Sequence, residues 1–166
     1  MSIGVDRTNT IMTTIRALYI GLAVVLASLF LAACTGNSPA NLGVSDSGLA
    51  PCPSSPNCVS SDAQDNDHHV APLQFAAPAA EAWQAARDQV AELPRTRIVS
   101  ETPGYLHAEC QSALLGFIDD LELNLRTSAG IIAVRSASRL GYSDFGVNRN
   151  RIEALRASLL SRGIVH

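Results

Sequence analysis

Apolar and polar residues alternate with a period of two between residues 105 and 134, and this pattern restricts the fold more than any other part of the sequence. Successive side chains of a β-strand point to opposite faces of a sheet, so the alternation predicts strands with one buried and one polar face. We interpret residues 105–118 and 121–126 as two antiparallel strands, joined by a tight turn at Asp119 and Asp120.

This register separates the side chains into an apolar face and a polar face. Small and apolar residues share the first face: Leu106, Ala108, Cys110, Ser112, Leu114, Gly116, Ile118, Leu121, Leu123 and Leu125. The second face collects His107, Glu109, Gln111, Leu115, Phe117, Glu122, Asn124 and Arg126. A further hairpin through 127–130 adds Ile132 and Val134 to the apolar face and sets Glu122 opposite Arg135, a favourable cross-strand pair. A shift of one residue would mix leucines with charges, so the register is strongly specified.

Two stretches have the spacing of helices that cover the apolar face. Residues 78–93 carry Trp83 and other apolar residues at helical spacing and end at Pro94. A second helix is expected to begin near Asn148 or Asn150, which are both favourable N-cap residues. Its packing stripe consists of Ile152, Leu155 and Leu159.

Short strands at 69–75 and 96–101 complete the predicted order β-α-β-β-β-β-α. We therefore predict an α+β fold, with an antiparallel sheet of four to five strands and two helices packed on one face. Residues 52–162 are expected to form this single domain.

The first 33 residues predict an export signal. Arg7 and Arg16 precede an apolar run at 17–33, and the run ends in Leu-Ala-Ala followed by Cys34. This ending resembles the bacterial lipoprotein processing box, in which cleavage precedes the cysteine and its thiol is acylated. A transmembrane helix is the alternative, but the run is shorter than the roughly 20 residues that a span needs. Either Met1 or Met12 is compatible with the start of such a signal.

Removing residues 1–33 leaves a chain with ten arginines, no lysine and fourteen carboxylates. This acidic balance excludes a basic nucleic-acid binder. Residues 34–51 are rich in small and turn-forming residues, which predicts a flexible tether. We expect acyl chains on Cys34 to hold the domain at the cell envelope. Thr35, rather than aspartate, follows the cysteine, which favours the periplasmic face of the outer membrane over the inner membrane.

The remaining cysteines have different expected roles. Cys52 and Cys58 enclose five residues that include two prolines, which favours a small disulfide loop in an exported protein. Cys110 falls on the apolar sheet face and is expected to be a buried free thiol. The alternative for the loop is a metal site with the acidic and histidine-rich run that follows it (Asp62, Asp65, Asp67, His68 and His69). We favour the disulfide and expect neither a metal ion nor a cofactor.

Arginines cluster around a predicted strand-to-helix connection at residues 135–151, where a helix N-terminus disfavours cations. One interpretation is internal pairing with acidic residues. The other is an anionic ligand held by guanidinium groups and backbone amides. The candidate ligand-binding residues are Arg135, Ser136, Ser138, Arg139, Tyr142, Asp144, Asn148 and Arg149.

Three motifs make the chain resemble the bacterial family called domain of unknown function 1499. They are the segments CPSSPNCVSS at 52–61, GFIDDLE at 116–122 and RSASRLGYSDFGVNR at 135–149. The resemblance spans about residues 50–160 and implies no established activity. The matching signature positions are Asp119, Asp120, Glu122, Arg135, Ser136, Ser138, Arg139, Gly141, Asp144, Gly146, Asn148 and Arg149.

The leading hypothesis from the sequence is a lipid-anchored, non-enzymatic domain that binds an anionic small molecule or an envelope protein. A structural or assembly protein without a ligand is the first alternative. A small hydrolase is the second, with Ser143 as nucleophile or with His107 and Glu109 as base and partner. The Gly-x-Ser-x-x-Gly spacing around Ser143 does not fit a nucleophile elbow. We predict no catalytic residue.

Overall fold

The computed structural model describes residues 11–21 and 36–166. They belong to two units, Met1–Cys34 and Thr35–His166. In the first unit, residues 11–21 form a helix, α1. No helix within the described ranges is long and apolar enough to cross a membrane. Residues 1–10 and 22–35 lie outside the described residues. They include Met1, most of the predicted export signal and the predicted lipidation site, Cys34.

The second unit contains eight strands and two helices in its described part. In chain order they are β1 (Val44–Ser45), β2 (Gly48–Leu49), β3 (Cys58–Ser60), β4 (Leu73–Gln74), α2 (Ala79–Glu92), β5 (Thr96–Thr102), β6 (Tyr105–Gln111), β7 (Ile118–Arg126), β8 (Ile131–Ser138) and α3 (Val147–Ser161). A 3-10 turn, Thr127–Ala129, joins β7 to β8.

Six of these strands form one antiparallel sheet in the order β3-β8-β7-β6-β5, with β4 also paired to β8. The α+β prediction is confirmed, with a larger strand count than expected. The predicted strand at 69–75 is present but has only two residues, as β4. The additional strand of this sheet is β3, with three residues, which is too short to show a readable alternation and is recognised only by its pairing with β8.

Both helices of the second unit pack on one face of the sheet, as predicted. The enclosed side chains include Leu106, Leu121, Leu123, Ile132, Ile152, Leu155 and Leu159, all with no exposed surface. Cys110 is also buried here and has no disulfide partner, which confirms its predicted role. Trp83 packs against the rim of this core. The apolar alternation on β6, β7 and β8 therefore supplies the helix-facing layer.

The predicted tight turn at Asp119 and Asp120 is wrong. The connection between β6 and β7 lies at 112–117, where the Ser112 N–H donates to the Phe117 carbonyl at 2.8 Å. Both aspartates lie inside β7, and Asp119 faces Cys110 across the strand pair. With the connection at 112–117, the leucines of β6 and β7 still lie on the apolar face. This connection sends Asp119 to that same face and Asp120 to the opposite one.

The start of α3 also differs from the prediction. The helix begins at Val147, so neither Asn148 nor Asn150 is its N-cap. Asp144 supplies the cap instead, because its carboxylate accepts hydrogen bonds from the N–H groups of Gly146 and Asn148, at 3.0 and 2.7 Å. A carboxylate at a helix N-terminus is favourable for the helix dipole.

Part of the segment expected as a tether has regular structure. Strands β1 and β2 form a two-stranded hairpin, and Leu49 is buried beside it. The Leu49 N–H donates to Asp62 Oδ2 at 2.9 Å, and the Asp62 carboxylate also accepts from Arg126. Residues 44–49 are therefore attached to the body of the second unit by polar contacts with the loop after β3.

Candidate functional site

The sheet face opposite α2 and α3, called the open face below, carries a row of ionisable side chains. Residues of β6, β7 and β8 that point away from the helices supply them: Tyr105, His107, Glu109, Asp120, Glu122 and Arg135, joined by Arg139 just beyond β8. Residues 36–53 pass over this face. The Gly43 N–H donates to Glu122 Oε1 at 2.8 Å, which links that segment to the sheet.

Glu122 and Arg135 form the first charged pair of the open face. They lie opposite each other on β7 and β8, and Arg135 Nη1 donates to Glu122 Oε2 at 2.9 Å, as the alternation predicted. Both side chains are buried. Tyr105 donates its hydroxyl to Glu122 Oε1 at 2.9 Å. Burial, together with the negative charge of Glu122, raises the pKa of Tyr105, so this hydroxyl stays a donor.

Asp120 lies at the centre of a second charged cluster. Its Oδ2 accepts from Arg139 Nε at 2.9 Å, and its Oδ1 lies 2.7 Å from both Arg139 Nη2 and His107 Nε2. Burial alone would raise the pKa of Asp120, but the hydrogen bonds from His107 and Arg139 outweigh it and lower the pKa. Arg139 also donates to Glu109 Oε1 at 2.6 Å, and these carboxylates raise the pKa of its guanidinium.

A cavity of about 390 Å³ opens between these charged pairs and the chain that covers them. Asp120, Arg135, Ala137, Ser138 and Arg139 line its sheet side. The opposite wall consists of Pro39, Asn41, Pro51, Cys52 and Pro53. We call this space the open-face cavity.

Arg135 is the least satisfied of the charged groups at this cavity. Only 5% of the residue is exposed, and its Nε is a buried donor without a hydrogen-bond partner in the part of the chain that the structure describes. A buried, unpaired donor costs about 1–3 kcal/mol, so native proteins rarely retain one without a reason.

The Cys52–Cys58 disulfide is present, which confirms that prediction. It connects the cavity wall at Cys52 to β3, whose residue Cys58 pairs with Ala137 of β8. Loop-entropy arguments assign a disulfide of this length about 2 kcal/mol. The bond therefore holds the wall next to the sheet strand that supplies Arg135.

A separate polar network lies on the helix side of the sheet. Asn148 is fully buried, with its Oδ1 accepting from Ser136 and Arg151 and its Nδ2 donating to Ser138. Arg151 also donates to Asp119 Oδ2 at 2.7 Å. These contacts fix α3 against the ends of β7 and β8.

The eight candidate ligand-binding residues thus separate into different surroundings. Arg135, Ser138 and Arg139 line the open-face cavity, whereas Ser136 and Asn148 are enclosed behind the sheet. Arg149 donates to the backbone carbonyls of Asp67 and His69, both at 2.7 Å. Asp144 caps α3, and Tyr142 is 75% exposed. Most residues of the predicted cluster therefore make internal contacts, and Arg135, Ser138 and Arg139 are the three of the eight that line the open-face cavity.

The surroundings of His107 and Ser143 do not favour the catalytic alternatives. His107 is buried rather than at the surface, and its Nε2 is occupied by Asp120. The Ser143 hydroxyl accepts from the Phe145 N–H in an exposed loop, at 3.3 Å. No nucleophile and base pair is formed by these candidates.

The acidic and histidine-rich run after the disulfide is used for internal contacts. Asp62 binds Arg126, and Asp65 Oδ1 lies 2.7 Å from His68 Nδ1. Among residues 11–21 and 36–166, no group of three or more His, Cys, Asp or Glu side chains is arranged to hold a metal ion.

The sequence did not predict that Pro39, Asn41 and Pro51 form a wall of the cavity, or that the Gly43 N–H donates to Glu122. The segment 36–53 has the composition of a linker, so it gave no signal of a packed role. Asp120 and Glu122 were recognised as signature positions of the motif at 116–122 but were not among the ligand-binding candidates.

The family model described as "Protein of unknown function (DUF1499)" matches residues 48–159. The chain belongs to this family. The comparisons with curated proteins and with solved structures found no match. The DUF1499 region contains both charged pairs of the open face and the polar network at α3. It begins after Pro39 and Asn41, which form part of the cavity wall.

Proposed function

We propose that this protein is a lipid-anchored domain of the bacterial cell envelope that binds a small anionic ligand in the open-face cavity. The anchor is the acylated thiol of Cys34, and the domain faces the periplasm from the outer membrane. The binding role is non-enzymatic. The single observation that carries it is the buried, unpartnered Nε of Arg135 at a cavity of about 390 Å³.

The chemistry of Arg135 favours an oxygen anion as the ligand. Its Nη1 is engaged by Glu122, which leaves the Nε edge of the guanidinium to be satisfied. A carboxylate or phosphate group accepts two parallel N–H bonds from such an edge, in the bidentate geometry typical of arginine. A ligand oxygen that reaches this edge would satisfy the buried donor and add a charge-assisted hydrogen bond.

The charge of the cavity lining also favours an anion. Two arginines and one aspartate line it. The carboxylate of Asp120 already accepts hydrogen bonds from Arg139, which compensates its charge. The lining residues themselves carry a formal charge of +1, while Glu122 and Glu109, which pair with Arg135 and Arg139, lie outside the lining. The cavity volume lies at the lower end of the range for ligand pockets, which suits a small molecule rather than a polymer.

Thermal unfolding of the full chain tests this proposal. Succinate and inorganic phosphate serve as probes, with ionic strength held constant by chloride. A ligand that binds only the folded state raises the Tm with its concentration. We expect at least one probe to raise the Tm of the wild type. Arg135→Lys, which keeps the charge but removes the Nε–Nη edge, should abolish the increase.

Two further variants test whether the increase in Tm depends on the open-face cavity. Asn41→Trp fills the cavity from its exposed wall and should also abolish the increase, without altering the buried pairs. Arg97→Lys is the matched control, because Arg97 is an exposed arginine that pairs with Glu109 on the same face. It should retain the increase. Equal Tm shifts in Arg135→Lys and the wild type, or no shift with either probe, would contradict the proposal.

The second candidate function is a structural or assembly protein without a ligand. The observation that favours it is the internal pairing of the remaining clustered arginines, since Arg139, Arg149 and Arg151 all have protein partners. It predicts that Arg139→Ala and Arg149→Ala reduce stability and that neither probe changes the Tm.

A further inference from the structure

We propose that one end of the domain lies directly on the lipid bilayer that carries the anchor. This end consists of residues 112–117 and 140–147 and is called the apolar end below. The inference rests on the proposed lipidation of Cys34. It adds to the anchor a second, non-covalent contact that sets how the domain is oriented on the membrane.

The apolar end exposes an unusual number of large apolar side chains for a small domain. Leu114, Phe145 and Tyr142 are 95%, 94% and 75% exposed. Four more have partly exposed side chains in the same two loops: Leu115, Phe117, Leu140 and Val147. A cluster of exposed apolar side chains marks an interaction site on a domain surface. Aromatic and leucine side chains are those that bind the interface of a bilayer.

The two loops lie side by side because adjacent strands lead into them. Residues 112–117 precede β7, and residues 140–147 follow β8, whose last residue, Ser138, pairs with Asp119. The Arg139 N–H donates to the Ile118 carbonyl at 3.1 Å, which extends the pairing to the loops themselves. Their apolar side chains therefore belong to one end of the molecule.

Polar groups of the apolar end are largely used within the loops. The Ser112 hydroxyl accepts from the Phe117 N–H, and Asp144, the single charged residue of the two loops, caps α3. This leaves an outer surface without an unpaired charge, as contact with a bilayer interface requires. Phe145 also has a left-handed backbone with φ 54°, an uncommon conformation for a bulky residue, and its side chain is exposed.

The position at which the chain leaves the domain towards Cys34 indicates that the bilayer covers the apolar end. Gly36 lies against the apolar end, since a methyl group on its Cα would be 3.1 Å from Arg139 Cβ and 3.3 Å from Leu140 Cγ. Cys34 is two residues earlier, and two residues span at most about 7 Å. An acylated Cys34 therefore keeps the membrane surface within about 10 Å of Leu140. A protein partner or a second copy would have to displace that surface.

Membrane depth measurements on the full chain test the inference. We would place a single cysteine at Phe145, label it with an environment-sensitive fluorophore and reconstitute the protein in phosphatidylethanolamine and phosphatidylglycerol vesicles. Cys52 and Cys58 are bonded and Cys110 is buried, so these thiols do not take up the label. Acylation blocks Cys34, and the same reporters in a Cys34→Ser background correct for label on Cys34 in a chain that is not acylated. Leu114→Cys is a second reporter. Leu160→Cys is the matched control, since Leu160 is exposed but lies at the far end of α3.

We expect the fluorophore at 145 and at 114 to be quenched by nitroxide lipids and protected from aqueous iodide. The fluorophore at 160 should show the reverse. Fluorescence at 145 that iodide quenches as strongly as at 160 overturns the inference. Protection from iodide without quenching by nitroxide lipids indicates a protein contact at this end, and also overturns it.

Incorporation of labelled fatty acid into the chain, compared with Cys34→Ser, distinguishes a failure of this inference from a failure of the anchor. An acylated chain with its 145 probe in water rejects the membrane contact alone. A chain that is not acylated rejects the proposed anchor and the contact together.

Discussion

Glu122 has no exposed surface, yet it keeps the full set of partners that a buried carboxylate needs. Its two oxygens accept from Gly43, Tyr105 and Arg135. The cost of removing two charges from water can exceed their mutual attraction, so such a pair is weak evidence for stability by itself. Its effect is asymmetric, because loss of one partner leaves the other charge buried and unpaired.

This asymmetry gives a prediction for the Arg135 and Glu122 pair. Arg135→Met should reduce the free energy of unfolding by about 3–5 kcal/mol, because the Glu122 carboxylate remains buried without its cation. The double variant Arg135→Met/Glu122→Gln should recover most of that loss. Urea denaturation of the full chain measures both values.

The control is Arg97→Gln, which removes an exposed arginine from its pair with Glu109. We expect it to change the free energy of unfolding by less than about 1 kcal/mol. If Arg135→Met were equally mild, the Glu122 and Arg135 pair would not have the buried character that we assign to it.

At the scale of the elements, α3 depends on contacts at its first turn. The turn contains no acidic residue, while Arg149 and Arg151 lie near the positive end of the helix dipole. Asp144 compensates from outside the helix by capping two N–H groups. Asp119 and the carbonyl groups of Asp67 and His69 accept from the arginines.

Asp144→Ala should therefore destabilise the domain by about 1 kcal/mol, because two N–H groups at the start of α3 lose their acceptor. A lower Tm in thermal unfolding followed by circular dichroism would show the effect. Asp46→Ala is the matched control, since Asp46 is an exposed aspartate in the turn between β1 and β2. An equal Tm for both variants would refute the capping role.

Most helices and strands, and the faces that they bury, could be predicted from the sequence, because they depend on the periodicity of apolar residues. The shared face of Leu106 and Leu123 and the pairing of Glu122 with Arg135 follow from the alternation, but the turn expected at 119–120 would have set Leu123 opposite Gly116. The turn between β6 and β7 could not be located in this way. Two consecutive aspartates are typical of a turn, and their acceptance into a strand depends on Arg139 and Arg151, which lie 19 and 32 residues later.

For the whole molecule, several buried or half-buried carboxylates make stability dependent on pH. Asp62, Glu109 and Asp120 all have lowered pKa values, since hydrogen bonds from arginine or histidine outweigh the opposing effect of burial. These groups bind protons less readily in the folded state than in the unfolded chain. Their contribution to stability is present above the unfolded pKa, near 4, and is lost as the pH falls through the folded pKa.

We therefore expect the free energy of unfolding to decrease as the pH is lowered below about 4.5, with little change between pH 5 and 7 from these groups. Urea denaturation over this pH series measures the slope. Asp120→Asn should have a smaller slope on the acidic side, whereas Asp46→Asn, in an exposed turn, should retain the slope of the wild type. An unchanged slope in Asp120→Asn would remove Asp120 from this explanation.

The proposed ligand site and the proposed membrane contact are neighbours in the molecule. Ser138 and Arg139 line the open-face cavity and directly precede Leu140 of the apolar end. A domain that contacts the bilayer through this end would hold the cavity close to the membrane surface. The proposed anchor, contact and ligand site would then occupy one side of the molecule.

The amino-acid sequence by itself determined the fold class, the faces of β6, β7 and β8, the Cys52–Cys58 disulfide and the family, because these depend on periodicity, local spacing and short motifs. Only the tertiary structure decided which arginines make internal contacts alone and which also line the open-face cavity. Arg135 and Arg139 differ from Arg149 and Arg151 in their partners across the sheet, not in their local sequence. A guanidinium group is long and can pair with any nearby carboxylate or carbonyl. Its role is therefore set by which chain segments the fold brings within hydrogen-bond distance.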